Sequence, residues 1–425
     1  MSAAWRTLAS AAAPALGLWL RHRVRRGKED PARLGERRGI ASQARPAGRL
    51  VWIHAASVGE ARSALPLLGA VLAAAPRAHA LVTTGTLTSA RMLDGALPAR
   101  ALHQFAPLDV PAWVARFLDH WRPDAALWFE SELWPNTLAA LASRGVPAAL
   151  VNARMSEASF ARWRRGGALL RPPLDGFAIV LAQTEETAAR FAALGARDSR
   201  AVGNLKFDVD RLPAADDALA AARAALAGRP AWLAASTHPG EEEIVAAVHA
   251  QLAPRFPGLL TILVPRHASR GTEIARLLRG RGLAVAQRSA GEAPDPATAV
   301  WLADTMGELG LFYRLAPVVF VGGSLVAHGG QNPLEPAALE TAILLGPHSW
   351  NFTEIVAALR AADAVREVAD PAALADQIAG LLADEAARRR LARNAFGAWE
   401  AGRGAVARVH AALAPVLAPL DREAS

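Results

Sequence analysis

The chain has 425 residues and no cysteine. That absence removes disulfide frameworks, thiolate nucleophiles and cysteine zinc sites together, and it is compatible with a reducing compartment. Lysine is almost missing too: Lys28 and Lys206 stand against a large arginine complement. A chain that uses Arg wherever a generic cation suffices points to Lys206 as a place needing a compact ammonium. Asparagine is sparse, and Asn136, Asn152, Asn204 and Asn332 fall in unusual loops. No P-loop and no G-x-G-x-x-G fingerprint occurs, which counts against ATPase and dinucleotide-reductase chemistry. The histidines lack i, i+4 pairing, so a zinc site is not expected. After the first 20 residues no run is long and apolar enough to suggest a membrane span.

What is present describes an ordered globular protein: 52% hydrophobic and 20% charged residues. The length suggests two or three domains. A formal net charge of +8 points to an anionic partner. Basic residues concentrate in RHRVRRGKEDPARLGERR (21–38) and ARWRRGGALLR (161–171). No recognition motif or stacking platform accompanies them, so nucleic acid is not the expected partner. The first cluster directly follows MSAAWRTLASAAAPALGLWL, an Ala-rich apolar stretch interrupted by Arg6 and Pro14. With positive charge after the apolar stretch instead of before it, a signal peptide is disfavoured. An anchor or interfacial helix on a cytoplasmic membrane face is expected, with Trp5 and Trp19 at its polar boundaries.

Short apolar runs alternate with amphipathic stretches twice along the chain. Expected strands are 50–54, 80–84, 124–130, 148–152 and 178–184, then 231–237, 259–265, 299–305, 317–323 and 342–346. Such alternation argues for parallel βαβ units and two doubly wound α/β domains. The expected organisation is an N-terminal segment 1–38, a first Rossmann-like domain 39–208, a linker 209–230 and a second domain 231–425. Ligands in such sheets bind beyond the carboxyl ends of the strands, so an interdomain cleft is expected there.

The unusual loops each follow a strand: HAASVGE, FESELWPN, VNAR, GNLKFD, STHPGEEE, VPRH, ADTMGELG and GGSLVAHGGQNPLEP. In VWIHAASVGEARSALPL (51–67) Glu60 stands where a helix begins. Its carboxylate either answers the positive helix end or serves as a general base. Asn332-x-x-Glu335 with Pro333 is a good capping arrangement. The same stretch, rich in glycine, also suits a phosphate or ribose. Ser236 and Thr237 are placed to cap a helix or hold a phosphate oxygen, and Arg266 suits a phosphate or base edge. Asp208-Val209-Asp210 resembles a paired-aspartate metal site, but it lacks further clustered ligands.

Taken in order, VWIHAASVGE, FESELWPN, GNLKFD, STHPGEEE, VPRH, MGELG and GGSLVAHGGQNPLEPAA resemble the 3-deoxy-D-manno-oct-2-ulosonic acid (Kdo) transferases of lipopolysaccharide biosynthesis. The resemblance spans residues 51–338 and implies a GT-B glycosyltransferase fold with the acceptor site in the first domain. It implies transfer of Kdo from CMP-Kdo to the anionic tetra-acylated lipid A precursor (lipid IVA) at the inner membrane, without metal or cofactor. By the same resemblance Glu60 is the general base, with Glu130 and Lys206 stabilising the transition state. Ser236, Thr237, Pro265, Arg266, Met306, Gly307, Glu308, Asn332, Pro333, Leu334 and Glu335 fall in the stretches that hold CMP. The alternatives are another GT-B enzyme, such as a UDP-sugar transferase or epimerase, and a catalytically silent scaffold.

Overall fold

The computed structural model describes residues 3–165 and 174–420, with side chains from residue 6. The end of the second basic cluster, and Trp5 as a side chain, lie outside the described residues. The chain divides into two units, one running to Asp208 and resuming at Arg403, the other Val209–Gly402.

The first unit holds seven strands: β1 (Leu50–His54), β2 (His79–Thr84), β3 (Ala101–Phe105), β4 (Ala125–Phe129), β5 (Ala148–Ala153), β6 (Ile179–Ala182) and β7 (Ser199–Ala201). They form one sheet in the order β3-β2-β1-β4-β5-β6-β7, every pairing parallel. Both faces of its centre are covered. Val51 and Ile53 of β1 pack on one side with Leu67, Leu68 and Val71 of the helix Val58–Ala74. Leu50 and Trp52 pack on the other with Val114, Phe117 and Trp121. A strand buried on both faces needs an unbroken apolar run, which is why LVWIH and AALWF are legible as strands.

The second unit repeats the plan with β8 (Ala231–Thr237), β9 (Leu260–Pro265), β10 (Val285–Gln287), β11 (Val300–Leu302), β12 (Val318–Val321), β13 (Ala342–Leu345) and β14 (Val365–Glu367). Their order is β10-β11-β9-β8-β12-β13-β14, again parallel throughout.

Two boundary expectations need correction. Residues 403–420 pack in the first unit, not the second. The reason is an apolar stripe, Ala405, Val409, Leu413, Val416 and Leu420, that inserts into the core beside the helix Val58–Ala74. The stripe's roughly helical spacing gives it one buried face. The 209–230 segment is likewise part of the second unit. Its helix Asp216–Leu226 buries Ala222 and Leu226, the Leu212 carbonyl accepts from Arg314 at 2.7 Å, and the Val209 carbonyl accepts from the Trp399 indole at 3.2 Å.

Asp208 has a structural duty as well. Its two carboxylate oxygens accept the backbone N–H groups of Gly404 and Val406 at 2.6 and 2.5 Å. It thereby caps the helix Ala405–Ala412 from a distance, where unpaired donors and the helix dipole favour an anion. A paired-aspartate metal site at 208/210 is therefore set aside.

At the N-terminus two helices, Ala3–Ala11 and Ala13–Arg25, replace the single expected one. Pro14 sits in the first turn of the second, where its missing N–H costs nothing. Among the described residues no helix is long and apolar enough to cross a membrane. Leu8, Leu18 and Trp19 are exposed, and the Arg23 guanidinium lies 4.8 Å from the Trp19 ring centre.

Candidate active site

In the first sheet the direction of strand addition reverses between β1 and β4; in the second, β9 and β12 are added on opposite sides of β8, and β11 returns to fit between β10 and β9. Such a reversal opens a crevice at the carboxyl ends of the two central strands. Most of the residues singled out in the sequence follow the carboxyl ends of strands in one or other sheet.

Beyond β1, Ser57 starts the helix Val58–Ala74 with extended backbone, and its side chain accepts the Glu60 N–H at 3.3 Å. In return the Ser57 hydroxyl donates to Glu60 Oε1 at 2.8 Å, and the Ala56 N–H donates to Oε2 at 2.8 Å. Ser57 and Glu60 thus form a variant of the capping box in which the carboxylate takes the N–H of Ala56, one residue before the cap, so the helix-end reading of Glu60 describes its hydrogen bonds. It does not exhaust its chemistry. Burial pushes the Glu60 pKa up to about 7, the Ser57 hydrogen bond opposes the shift, and the nearby Glu130 and Glu132 carboxylates add to it. Each oxygen retains a lone pair for another donor. A carboxylate balanced near neutrality is well matched to taking a hydroxyl proton.

Glu130 follows β4 with a left-handed backbone, φ 54°. Asn152 at the end of β5 (φ 52°) and Ser236 at the end of β8 (φ 58°) share that conformation. Non-glycine residues enter it at a cost of ~1–2 kcal/mol. Glu130 and Ser236, at the ends of the central strands β4 and β8, carry local strain of the kind kept at functional sites, while Asn152, within β5, is of a residue type that enters this region more readily.

Lys206 is carried by the short turn Leu205–Phe207 after β7. Asn204 Oδ1 accepts the Lys206 N–H and Asn152 Oδ1 accepts the Leu205 N–H, both at 3.0 Å. The Asn204 amide donates to Gln183 Oε1 at 2.9 Å. This amide network aims the side chain: Lys206 Nζ donates to Glu130 Oε1 at 2.8 Å. Arg154 stands 3.7 Å from the other Glu130 oxygen. Glu60, Glu130 and Lys206 therefore form one electrostatic cluster in the first unit. Asn136 does not join it, because its backbone N–H and amide are held by Asp109 at the start of the helix Pro135–Ser143.

In the second unit the β8 and β9 ends are tied together, the Arg266 N–H donating to the Thr237 carbonyl at 2.9 Å. Thr237 Oγ1 donates to Glu242 at 3.1 Å. The Arg266 side chain is exposed, with no side-chain partner among the described residues. Met306 is 75% exposed beside the left-handed Gly307 (φ 82°). Glu308 is not a free acid: Arg288 Nε donates to it at 2.6 Å and the Thr305 hydroxyl binds it too. Pro265, Pro333 and Leu334 are buried, so they offer a ligand backbone, not side chains. The helix begins at Leu334, one residue later than Pro333 suggests. Asn332 Oδ1 accepts the Leu334 N–H at 3.1 Å, and its amide lies 3.5 Å from Glu335 Oε1.

Three contributors escape a sequence reading. Gln183 supports the Lys206 turn from a site with no motif. Arg154 sits in the flagged VNAR loop, but nothing there marks it as Glu130's neighbour. Glu241, fully buried, accepts backbone N–H groups from His238, Gly323, Ser324 and Leu325 at 2.7–3.1 Å. It staples the loop after β12 to the end of β8, a role its place in a run of three acids conceals.

Residues 32–209 match the family model described as 3-deoxy-D-manno-octulosonic-acid transferase (kdotransferase). The 3-deoxy-D-manno-octulosonic acid transferase of Bordetella pertussis is 40% identical over 412 residues, covering 93% of this chain and 94% of the relative. That of Haemophilus influenzae is 36% identical over 392 residues, 91% of each chain. The crystal structure of Acinetobacter baumannii MurG, at 12% identity and a TM-score of 0.54, covers 87% of this chain and 99% of its own. That likeness speaks for the two-domain glycosyltransferase-type fold alone. With relatives of this identity aligned over nearly its whole length, the chain belongs to the 3-deoxy-D-manno-octulosonic acid transferase family.

Proposed function

We propose that the protein transfers Kdo from CMP-Kdo to a hydroxyl of the anionic lipid A precursor (lipid IVA), with Glu60 as general base. The observation that carries this reading is the buried Glu60 carboxylate, its pKa pushed up by burial and by Glu130, near the Glu130–Lys206 pair at the β1/β4 reversal. Glu60 accepts the proton of the attacking hydroxyl. The new bond joins that oxygen to the anomeric carbon, and the carbon–oxygen bond to phosphate breaks with its electron pair leaving on CMP. Direct displacement inverts the anomeric centre. The Glu130 carboxylate, held at 2.8 Å by Lys206, lies close enough to Glu60 to raise its basicity. That geometry supports Glu130 as the group that orients Lys206, whose ammonium then serves the developing negative charge. In the second unit Arg266, the Ser236–Thr237 strand end and the 332–335 turn are suited to CMP.

The N-terminal helices, with exposed Leu8, Leu18 and Trp19 beside an arginine cluster, suit an interfacial seat on the inner membrane's cytoplasmic face. An acceptor that is both anionic and membrane-embedded fits the chain's net charge of +8.

The test is incubation with CMP-Kdo and the tetra-acylated acceptor, followed by mass spectrometry of the lipid. A mass gain of one or more Kdo residues is expected; an unmodified lipid, with UDP bound in preference to CMP, contradicts the reading. Asp208 is committed to backbone amides, so a chelator should leave the rate within about twofold. Complete loss, restored by Mg²⁺, would revive a metal-dependent mechanism.

A further inference from the structure

At the second reversal, between β8 and β12, lies a cavity of about 420 Å³ lined by His238, Pro239, His267, Val326, Ala327 and His328. Three imidazoles converge there from three separate loops. The His238 and His328 rings stack with centroids 3.7 Å apart, and His267 meets His238 edge-on at 6.2 Å. His238 is only 4% exposed. Its Nε2 lies 3.0 Å from the Gln331 amide nitrogen, which can only donate. Nε2 is therefore the acceptor, and the ring proton sits on Nδ1, which has no partner among the described residues. The ring as a whole is buried, but this N–H is not among its fully enclosed atoms, so in a ring that lines a cavity it can donate to an acceptor from outside the protein.

The surroundings favour an oxyanion. The helix Glu241–Leu252 begins next to the cavity at Gly240, left-handed at φ 96° and without a side-chain cap. The first two acids of that helix do not compete. Glu241 is consumed by four backbone N–H groups, and Glu242 is held by Arg270 at 2.7 Å. Burial, then the neighbouring His328, His267, Arg266 and Arg270, bring the His238 pKa down to about 4. The ring is thus a neutral donor, suited to a singly charged carboxylate. The cavity's volume lies in the range of pockets that take whole small molecules, which suits a sugar and not a phosphate group alone.

We infer that His238, with His328 stacked on it, forms a carboxylate subsite for the acid sugar of the donor, distinct from the residues that hold the nucleotide. This rests on the proposed CMP-Kdo reading. The carboxylate accepts the His238 Nδ1–H, and the Val326–His328 segment walls the sugar. His238 then selects acid sugars over neutral ones.

Three variants test it, with CMP affinity, donor KM, kcat and melting temperature measured on the full chain. His238→Gln replaces the Nε2 edge but removes the Nδ1 donor. Its donor KM should rise about 10- to 100-fold, the usual worth of a hydrogen bond to a charged group, with CMP affinity and melting unchanged. His238→Asn keeps a donor near Nδ1 and should restore most of the affinity. His328→Ala, at an exposed position, should raise donor KM without altering melting, which keeps the test open if the buried variants fold poorly. A CMP affinity that falls in step with the donor's would show that the occupant is phosphate and overturn the carboxylate assignment. Unchanged donor KM in both His238→Gln and His328→Ala would overturn the subsite while leaving the transfer reading intact. Wild-type protein that binds neither CMP nor CMP-Kdo would overturn both.

Discussion

Glu60→Gln should fold and melt like the parent yet turn over ~10²–10⁴-fold more slowly, the range expected when a positioned base is removed. The amide keeps a carbonyl oxygen for one of the two hydrogen bonds that now come from Ala56 N–H and the Ser57 hydroxyl. The capping contribution is therefore only partly lost, at a cost of ~1 kcal/mol or less. What disappears entirely is a group that takes up a proton near neutrality. The two roles separate in measurement: melting reports the cap, single-turnover rate reports the base. Near-native turnover would leave Glu60 with the cap alone.

Lys206→Ala should lower turnover by ~10²–10³-fold, the scale for losing one preorganised donor to developing charge. Its effect on melting should be small by comparison. The turn that carries it is held by its own backbone through Asn152 and Asn204, and the side chain is partly exposed. Arg154, 3.7 Å from Glu130, remains to balance that carboxylate in the variant. Lys206→Arg should not rescue, because a planar fork cannot occupy the place of a compact ammonium held at 2.8 Å. Rescue by Arg, or a melting loss as large as the activity loss, would contradict this.

The expected strands from the sequence all exist, and the four it missed share one feature. β3, β7, β10 and β14 are the two edges of each sheet. Edge strands have a neighbour on one side only and are short here, three residues in β7, β10 and β14. Their residues are largely half-exposed, so no continuous apolar run announces them. The C-terminal correction has a different cause. Spacing at Ala405, Val409 and Leu413 shows a buried face, but nothing in a sequence says which of two similar cores receives it.

The candidate site was legible in a similarly uneven way. Ser57-x-x-Glu60 has the spacing of a capping box in plain sight, and the loops that bear Glu130 and Lys206 stand out by composition. The left-handed backbones of Glu130, Asn152 and Ser236 leave no local signature, since none is glycine. The occupied state of Glu308 is equally hidden, because its partner Arg288 comes from another loop.

The pH dependence of kcat/KM, measured for the parent and for Glu60→Gln, tests the central claim most directly. Burial sets the Glu60 pKa above the usual carboxylate range, at about 7, and the base works only when deprotonated. For the parent, kcat/KM should be level above that value and fall about tenfold per pH unit below it, as loss of one essential base requires. The residual rate of Glu60→Gln should show no such limb. A limb that persists in the variant, or a parent profile flat down to pH about 5, the region of an ordinary carboxylate, would contradict the account.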